Sequence, residues 1–365
     1  MYNILIFGTG STADVIEEVL KYDNVNILAY VDNDISKWNK FRKGKKIISP
    51  SSISDFDYDY IVIASQYNET IYSQLLNMNI SSNRIFQFYK YYILLNDSFE
   101  KRLNGFIANI NSVKGLLTGI SYAETGVIPG LLSKNIYKFS LASQDIFYDY
   151  KIVEYILNNY NNNKIRYVII GLSYYSFQYD LSLSAMRYKV SLYYNILKES
   201  HNCNYMYLYY QNQFDENKLI AERLINRDKK IDFKWNSKKL SDLNLEDRIE
   251  LGKRQANIDC NKNYPETVKE NIKIFRNYLE LLRVYEVKPI VVVFPASKYY
   301  TKYFSKKIEE ECYSIIDKFK NEYEFQYLDY FRSNLFKDED FRDVSHLNKK
   351  GAEKFTKILD KDINW

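Results

Sequence analysis

Two histidines stand in the 365 residues, His201 and His346, so any chemistry that needs an imidazole base runs through one of them. His201 lies in Ser200-His201-Asn202-Cys203, a polar stretch that reads as a loop, and a surface position is expected there. His346 lies in Asp343-Val344-Ser345-His346-Leu347-Asn348, directly before a helix predicted over 349–359 that Asn348 is placed to cap. A carboxylate three residues before an imidazole can fold back across a turn. Asp343 would then hold the ring's Nδ1–H, fix the tautomer and stabilise an imidazolium. The alternative is an Asp turn leading into a helix, with His346 incidental. A base of this kind serves a hydroxyl nucleophile, and that nucleophile belongs where a strand turns into a helix. There its own N–H also helps to bind an oxyanion. Residues 113–118 read as a strand that runs into Gly119-Ile120-Ser121-Tyr122, which makes Ser121 the candidate.

A second segment with chemistry opens the chain. Tyr2 to Phe7 is a short apolar run that predicts a buried parallel strand. Gly8-Thr9-Gly10-Ser11-Thr12-Ala13 follows, then helical spacing over 14–22. The loop fits GxGxxA, and Asp32 ends the next predicted strand (25–31) about 20 residues further on. Gly8 permits the tight turn, Gly10 lets a diphosphate approach the backbone, and the helix N-terminus at Ser11 offers N–H groups to an anion. Asp32 would accept hydrogen bonds from a ribose. Gly8, Gly10, Ser11 and Asp32 are therefore candidate ligands of a nucleotide or sugar nucleotide, with an ordinary strand-to-helix turn as the alternative.

These segments need elements to hold them. A strand over 58–64, a helix over 69–78 and a short strand at 85–88 complete an alternation that predicts a parallel α/β sheet. The sheet ends near residue 90, without a second mononucleotide-binding half, which weighs against a hydride-transfer dehydrogenase. Residues 89–112 read as a connector. Beyond it, strands are predicted at 113–118, 167–170 and 290–294, the last preceded by a helix over 276–285. The stretch 182–275 is polar and rich in Tyr, Asn and Lys, with helical patches at 190–198 and 217–225, and is expected to be an insertion at the active-site edge. Its Tyr188, Tyr193, Tyr194, Tyr205, Tyr207, Tyr209 and Tyr210 suit either sugar stacking or core packing.

Composition narrows the classes. Fifty-one basic and 46 acidic residues leave +5, without a dense basic block. The runs at 43–46 and 227–230 are short and suit solvated faces, and aromatics do not alternate with Lys/Arg, so nucleic acid is not expected as a partner. The three cysteines are isolated, so neither a disulfide framework nor a metal site is indicated. The first residues lack the pattern of a signal peptide, and no run of apolar residues is long enough for a membrane span, so a cytoplasmic location is expected.

Two resemblances follow from the quoted motifs. Ile6-Phe7-Gly8-Thr9-Gly10, Ala29-Tyr30-Val31-Asp32-Asn33-Asp34, Ile48-Ser49-Pro50 and Asp57 to Ala64 resemble the small Rossmann-like N-terminal domain of bacterial sugar O-acyltransferases of the sialic-acid/bacillosamine type, over residues 1–90. No hexapeptide repeat follows, so the chemistry of that family's β-helix does not carry over. Residues 113–361 resemble the SGNH/GDSL hydrolase superfamily through four blocks. These are Gly119-Ile120-Ser121-Tyr122, Ser140 to Asp145, Gly171-Leu172-Ser173-Tyr174 and Asp343 to His346. The family has Asp at Ile120, an oxyanion-hole Gly at Ser143 and Asn at Ser173. The same arrangement resembles bacterial polysaccharide O-acyltransferases and D-alanyl-transfer proteins. The resemblance implies a catalytic triad of Ser121, Asp343 and His346, with oxyanion donors at Ser121, Ser143 and Ser173; Gln144 is a candidate, outside that resemblance, to replace the missing Asn amide.

The expectation is thus an α/β protein of two domains. A Rossmann-like parallel sheet (1–88) is joined by a connector (89–112) to an SGNH-like, flavodoxin-like α/β/α domain (113–365) with its insertion at 182–275. Serine-dependent ester hydrolysis or O-acyl transfer on a sugar, sugar nucleotide or surface-glycan precursor is the implied function. Hydrolysis needs no cofactor, whereas a transferase would draw on an acyl donor such as acyl-CoA. A non-catalytic sugar-nucleotide-binding scaffold of glycan assembly is the rival reading, favoured by Ile120 and Ser173. An NAD(P)-dependent oxidoreductase is the third.

Overall fold

The structure, a computed structural model, describes residues 1–160, 164–203, 206–226, 229 and 239–365. The chain divides into two α/β units. The first is Met1–Ser98 with Asn204–Phe233, and the second is Phe99–Cys203 with Lys234–Trp365.

The first unit holds a six-stranded sheet in the order β3-β4-β2-β1-β5-β6. Its strands are β1 (Tyr2–Phe7), β2 (Val25–Val31), β3 (Phe41–Arg42), β4 (Lys45–Ile48), β5 (Tyr60–Ile63) and β6 (Ile85–Phe86). Every pairing is parallel except β3 with β4. Ile4, Leu5, Ile6 and Phe7 are buried on both faces of β1, as expected of a continuous apolar run in a parallel sheet. The basic run after Arg42 turns out to make a hairpin. Lys43 (φ 46°) and Gly44 (φ 75°) both take the left-handed conformation that a two-residue β-turn demands.

The second unit holds a five-stranded parallel sheet in the order β11-β10-β9-β7-β8. Its strands are β7 (Gly115–Gly119), β8 (Ile136–Lys138), β9 (Tyr167–Leu172), β10 (Lys288–Val293) and β11 (Gln326–Asp329). Helices Ile146–Tyr160, Pro265–Val284, Lys306–Lys320 and Lys349–Asp362 bury apolar side chains in this unit.

Helices Phe88–Asn96 and Phe99–Asn109 occupy the connector 89–112, and the unit boundary falls between them, inside that window. One part of the sequence reading is corrected. The stretch 182–275 is not one insertion of the second unit. Helix Met206–Leu224 belongs to the first unit, where Phe214 stacks on Tyr91 and Asn217 Oδ1 accepts the Gln87 N–H at 2.6 Å. Helices Ser191–Leu197 and Leu245–Cys260 stay with the second unit. Most of the 227–230 basic run lies outside the described residues. Among the described residues no helix is long and apolar enough to cross a membrane.

Candidate active site

Ser121 sits on the first turn of helix Ser121–Gly126, directly beyond the C-terminal end of β7. Two glycines at one level of the sheet make that tight exit possible. Gly119 pairs with Gly171 across β7 and β9. Gly119 has φ +126°, and a Cβ there would lie 2.5 Å from the Gly171 carbonyl oxygen. A Cβ on Gly171 would meet the Ala123 Cβ at 2.6 Å, so the bare strand lets the helix that carries Ser121 settle against the sheet.

His346 arrives from the far end of the chain. An antiparallel bridge between Phe341 and Leu347 closes the loop that carries it, and the Arg342 N–H donates to the His346 carbonyl at 3.0 Å. The loop is also held from the end of β10: the Ser297 hydroxyl and N–H both donate to the Val344 carbonyl, at 2.6 and 3.1 Å. Asn348 caps the following helix, its Oδ1 accepting the Gly351 N–H at 3.0 Å.

The three residues meet as a relay. Ser121 Oγ lies 2.9 Å from His346 Nε2. Asp343 Oδ1 and Oδ2 lie 3.1 and 3.2 Å from His346 Nδ1. Asp343 Oδ1 also accepts the N–H groups of Ser345 and His346, at 2.9 and 2.8 Å. Burial alone would raise the Asp343 carboxyl. The His346 charge and hydrogen bond, with Arg342 beside it, outweigh burial and hold it well below the usual carboxylate range. The imidazole also stacks on Tyr122, with ring centroids 4.8 Å apart at 21°, which fixes its plane. Tyr122 lines a narrow apolar cleft with Leu172, Ser173, Phe294, Tyr300 and Phe331.

The expected oxyanion positions differ in their availability. Ser143 has φ +69°, the left-handed conformation that explains why glycine suits this position. The turn that carries it is hydrogen-bonded onto the end of β7 by Leu141 N–H to the Gly119 carbonyl, 3.1 Å. Ser173 is turned elsewhere: its N–H donates to Ser176 Oγ at 2.9 Å, and the two hydroxyls lie 3.1 Å apart. Gln144 does not replace the missing amide. Its Nε2 donates to Asp149 Oδ1 at 2.6 Å and its Oε1 accepts from the Tyr193 hydroxyl at 3.0 Å.

Three supports escaped sequence reasoning. Asp149 Oδ1 accepts the Gly119 N–H at 2.9 Å from beneath the nucleophile turn. Burial raises its carboxyl well above the ordinary range. Lys189, fully buried, donates to the Ala142 carbonyl at 2.7 Å. Ser297 anchors the histidine loop as described. Asp149 reaches a partner 30 residues away in sequence. Lys189 and Ser297 carry no local signal, because their partners are 47 residues away in each case.

His201 is not a surface residue. Its side chain is 7% exposed, and its ring stacks on Phe147 at 4.0 Å between Asp180 and Glu270. Asp145, Asp180 and His201 bring ligand atoms within 4.8 Å of one another, a set that could hold a cation. Both carboxylates are already engaged by backbone N–H groups, Asp145 with Tyr148 and Leu181, and Asp180 with Ser182 and Leu183. Of the tyrosines proposed for sugar stacking, Tyr188, Tyr193 and Tyr210 are core residues, and Tyr209 is exposed. Tyr205 and the side chain of Tyr207 lie outside the described residues.

In the first unit, Gly8 has φ +109°, and a Cβ there would lie 2.7 Å from the Ala64 carbonyl oxygen. Gly10 faces open space, and no side chain caps the helix that begins at Ser11. Asp32 is engaged by the Thr9 hydroxyl and, at 3.0 Å, by the Lys37 ammonium. Arg42 approaches the loop, donating to the Thr9 carbonyl at 3.3 Å.

A family model described as "C2185-like, N-terminal" matches residues 1–86. No curated protein matches the chain. Among solved structures, the chain is similar to one from Bacteroides fragilis described as a "putative acylhydrolase", at a TM-score of 0.32 and 11% identity. That similarity covers 71% of this chain and 95% of the other.

Proposed function

We propose that this protein is a serine-dependent acyl-transfer enzyme, cleaving an ester or moving its acyl group to a hydroxyl. The observation that carries the reading is the relay of Ser121 Oγ, His346 and Asp343, with one ring nitrogen on the hydroxyl and the other on the carboxylate. His346 Nε2 takes the Ser121 proton as Oγ attacks the ester carbonyl. Asp343 holds the Nδ1–H tautomer and stabilises the imidazolium. The N–H groups of Ser121 and Ser143 receive the oxyanion. His346 then returns the proton to the departing alkoxide, leaving an acyl-serine. Water or a second hydroxyl, deprotonated by the same imidazole, releases it.

A sugar, sugar nucleotide or glycan precursor is the substrate class we assign. Its support is the phosphate-loop geometry of the first unit: Gly8, an open Gly10 and the uncapped helix start at Ser11. In that reading a diphosphate lies over Gly10 and Ser11. Asp32, held by Lys37 and Thr9, would meet a ribose only by releasing one of them. The engagement of Ser173 by Ser176 favours the rival, a non-catalytic binding protein of the same pathway, because it removes one oxyanion donor.

Hydrolysis of p-nitrophenyl acetate decides between them. Ser121→Ala is expected to lose about a thousand-fold or more in kcat/KM. Equal rates for the variant and the unaltered protein would end the enzyme reading.

A further inference from the structure

We propose that Lys189 is a positioning residue for the oxyanion hole, a peptide clamp that aims the Ser143 N–H; the inference rests on the acyl-transfer reading above. Leu141 to Gln144 form a β-turn closed by Gln144 N–H to the Leu141 carbonyl at 2.9 Å. Ser143, third in the turn, has φ +69°, and Ala142, second, has no positive φ. That is the type II arrangement, which favours glycine at the third position. Types I and II differ chiefly in the orientation of the central peptide, here Ala142–Ser143. Flipping it reverses both its carbonyl and its N–H, which point in opposite directions in a trans unit. The direction of the Ala142 carbonyl therefore dictates that of the Ser143 N–H.

Serine has no intrinsic reason to hold the left-handed state. Lys189 supplies one. Its Nζ donates to the Ala142 carbonyl at 2.7 Å and lies 3.5 Å from Ser143 Oγ. It does so from a position 2% exposed to solvent. The carbonyl is thereby held on the lysine side, and the Ser143 N–H is held on the opposite side. A second bond braces the next peptide, from the Tyr179 hydroxyl to the Ser143 carbonyl at 3.1 Å. A cation on a peptide oxygen also polarises that peptide and makes its N–H a stronger donor. The clamp thus substitutes for two departures at once: it stabilises a turn that lacks glycine, and it strengthens one oxyanion donor where Ser173 is turned away.

The test uses the full chain and p-nitrophenyl acetate, with kcat and KM measured separately and thermal melts as the control for folding. Lys189→Met is expected to lower kcat about ten- to a hundred-fold, with KM within about two-fold. Adding Ser143→Gly to that variant is expected to restore much of the loss, because glycine takes the type II turn unaided. Damage to packing alone would not be repaired at residue 143. If Lys189→Met loses its cooperative melt, Lys189→Ala, which also removes the donor and leaves room for water, is read in the same way. An unchanged kcat in the folded lysine variant, or a loss that Ser143→Gly does not repair, overturns the clamp. Unaltered protein and Ser121→Ala hydrolysing equally would instead sink the acyl-transfer reading, and the clamp with it.

Discussion

At the scale of single residues, the site rests on one buried carboxylate that the sequence did not announce. Asp149 accepts the Gly119 N–H and the Gln144 amide through the same oxygen. Burial is the main reason its carboxyl sits far above the ordinary range, with Asp145 adding to the shift. The folded protein therefore keeps a proton that the unfolded chain releases above about pH 4. Stability from this group is lost as pH rises through the window between those two values. Asp149→Asn cannot ionise and can accept both hydrogen bonds through its carbonyl. Its melting temperature relative to the unaltered protein is expected to rise as pH increases above about 4. An offset that stays constant with pH would contradict this. Asp343 has the opposite sign: its carboxyl is held low, so its contribution is present above about pH 4 and disappears as pH falls below that. The pairing of Asp343 with His346 was legible because histidine is scarce and the two lie three residues apart, and Ser121 was legible through the strand-to-helix corner it occupies. Lys189 and Ser297 were not, since their roles exist only after distant segments meet.

At the scale of elements, the glycine pair Gly119 and Gly171 does what no motif states. It thins the sheet where helix Ser121–Gly126 must approach it. A methyl group at Gly171 would sit 2.6 Å from the Ala123 Cβ, 3.0 Å from Phe294 and 3.1 Å from the Thr118 carbonyl. Gly171→Ala is expected to cost about 1–3 kcal/mol in denaturant unfolding by overpacking. On the acyl-transfer reading it should also lower turnover of p-nitrophenyl acetate, because the helix that carries Ser121 must move. Full stability and full turnover would show that the close approach is dispensable. Strands β1 and β2 were legible residue for residue, and β5, β7, β9 and β10 within one or two residues at each end, because buried parallel strands announce themselves as apolar runs. The β3–β4 hairpin was missed because its sequence is basic and short. Helix Met206–Leu224 was placed with the wrong unit because amphipathic spacing tells which face is apolar and not what covers it.

At the scale of the whole molecule, both units are discontinuous in sequence, and the site exists only because the second folds around segments far apart. Ser121 and His346 are separated by 225 positions, with a segment of the first unit between them. Separated motifs could propose this meeting, and only the sheet order β11-β10-β9-β7-β8 brings both residues to one end of the second unit. The most direct test of the account asks whether Ser121 is activated by its distant base. The full-length protein is treated with a fluorophosphonate, and the modified peptide is identified by mass spectrometry. A single phosphonylated serine, Ser121, is expected, with labelling about a hundred-fold slower or worse in His346→Ala. Labelling elsewhere, or at Ser121 with a rate indifferent to His346, would contradict it.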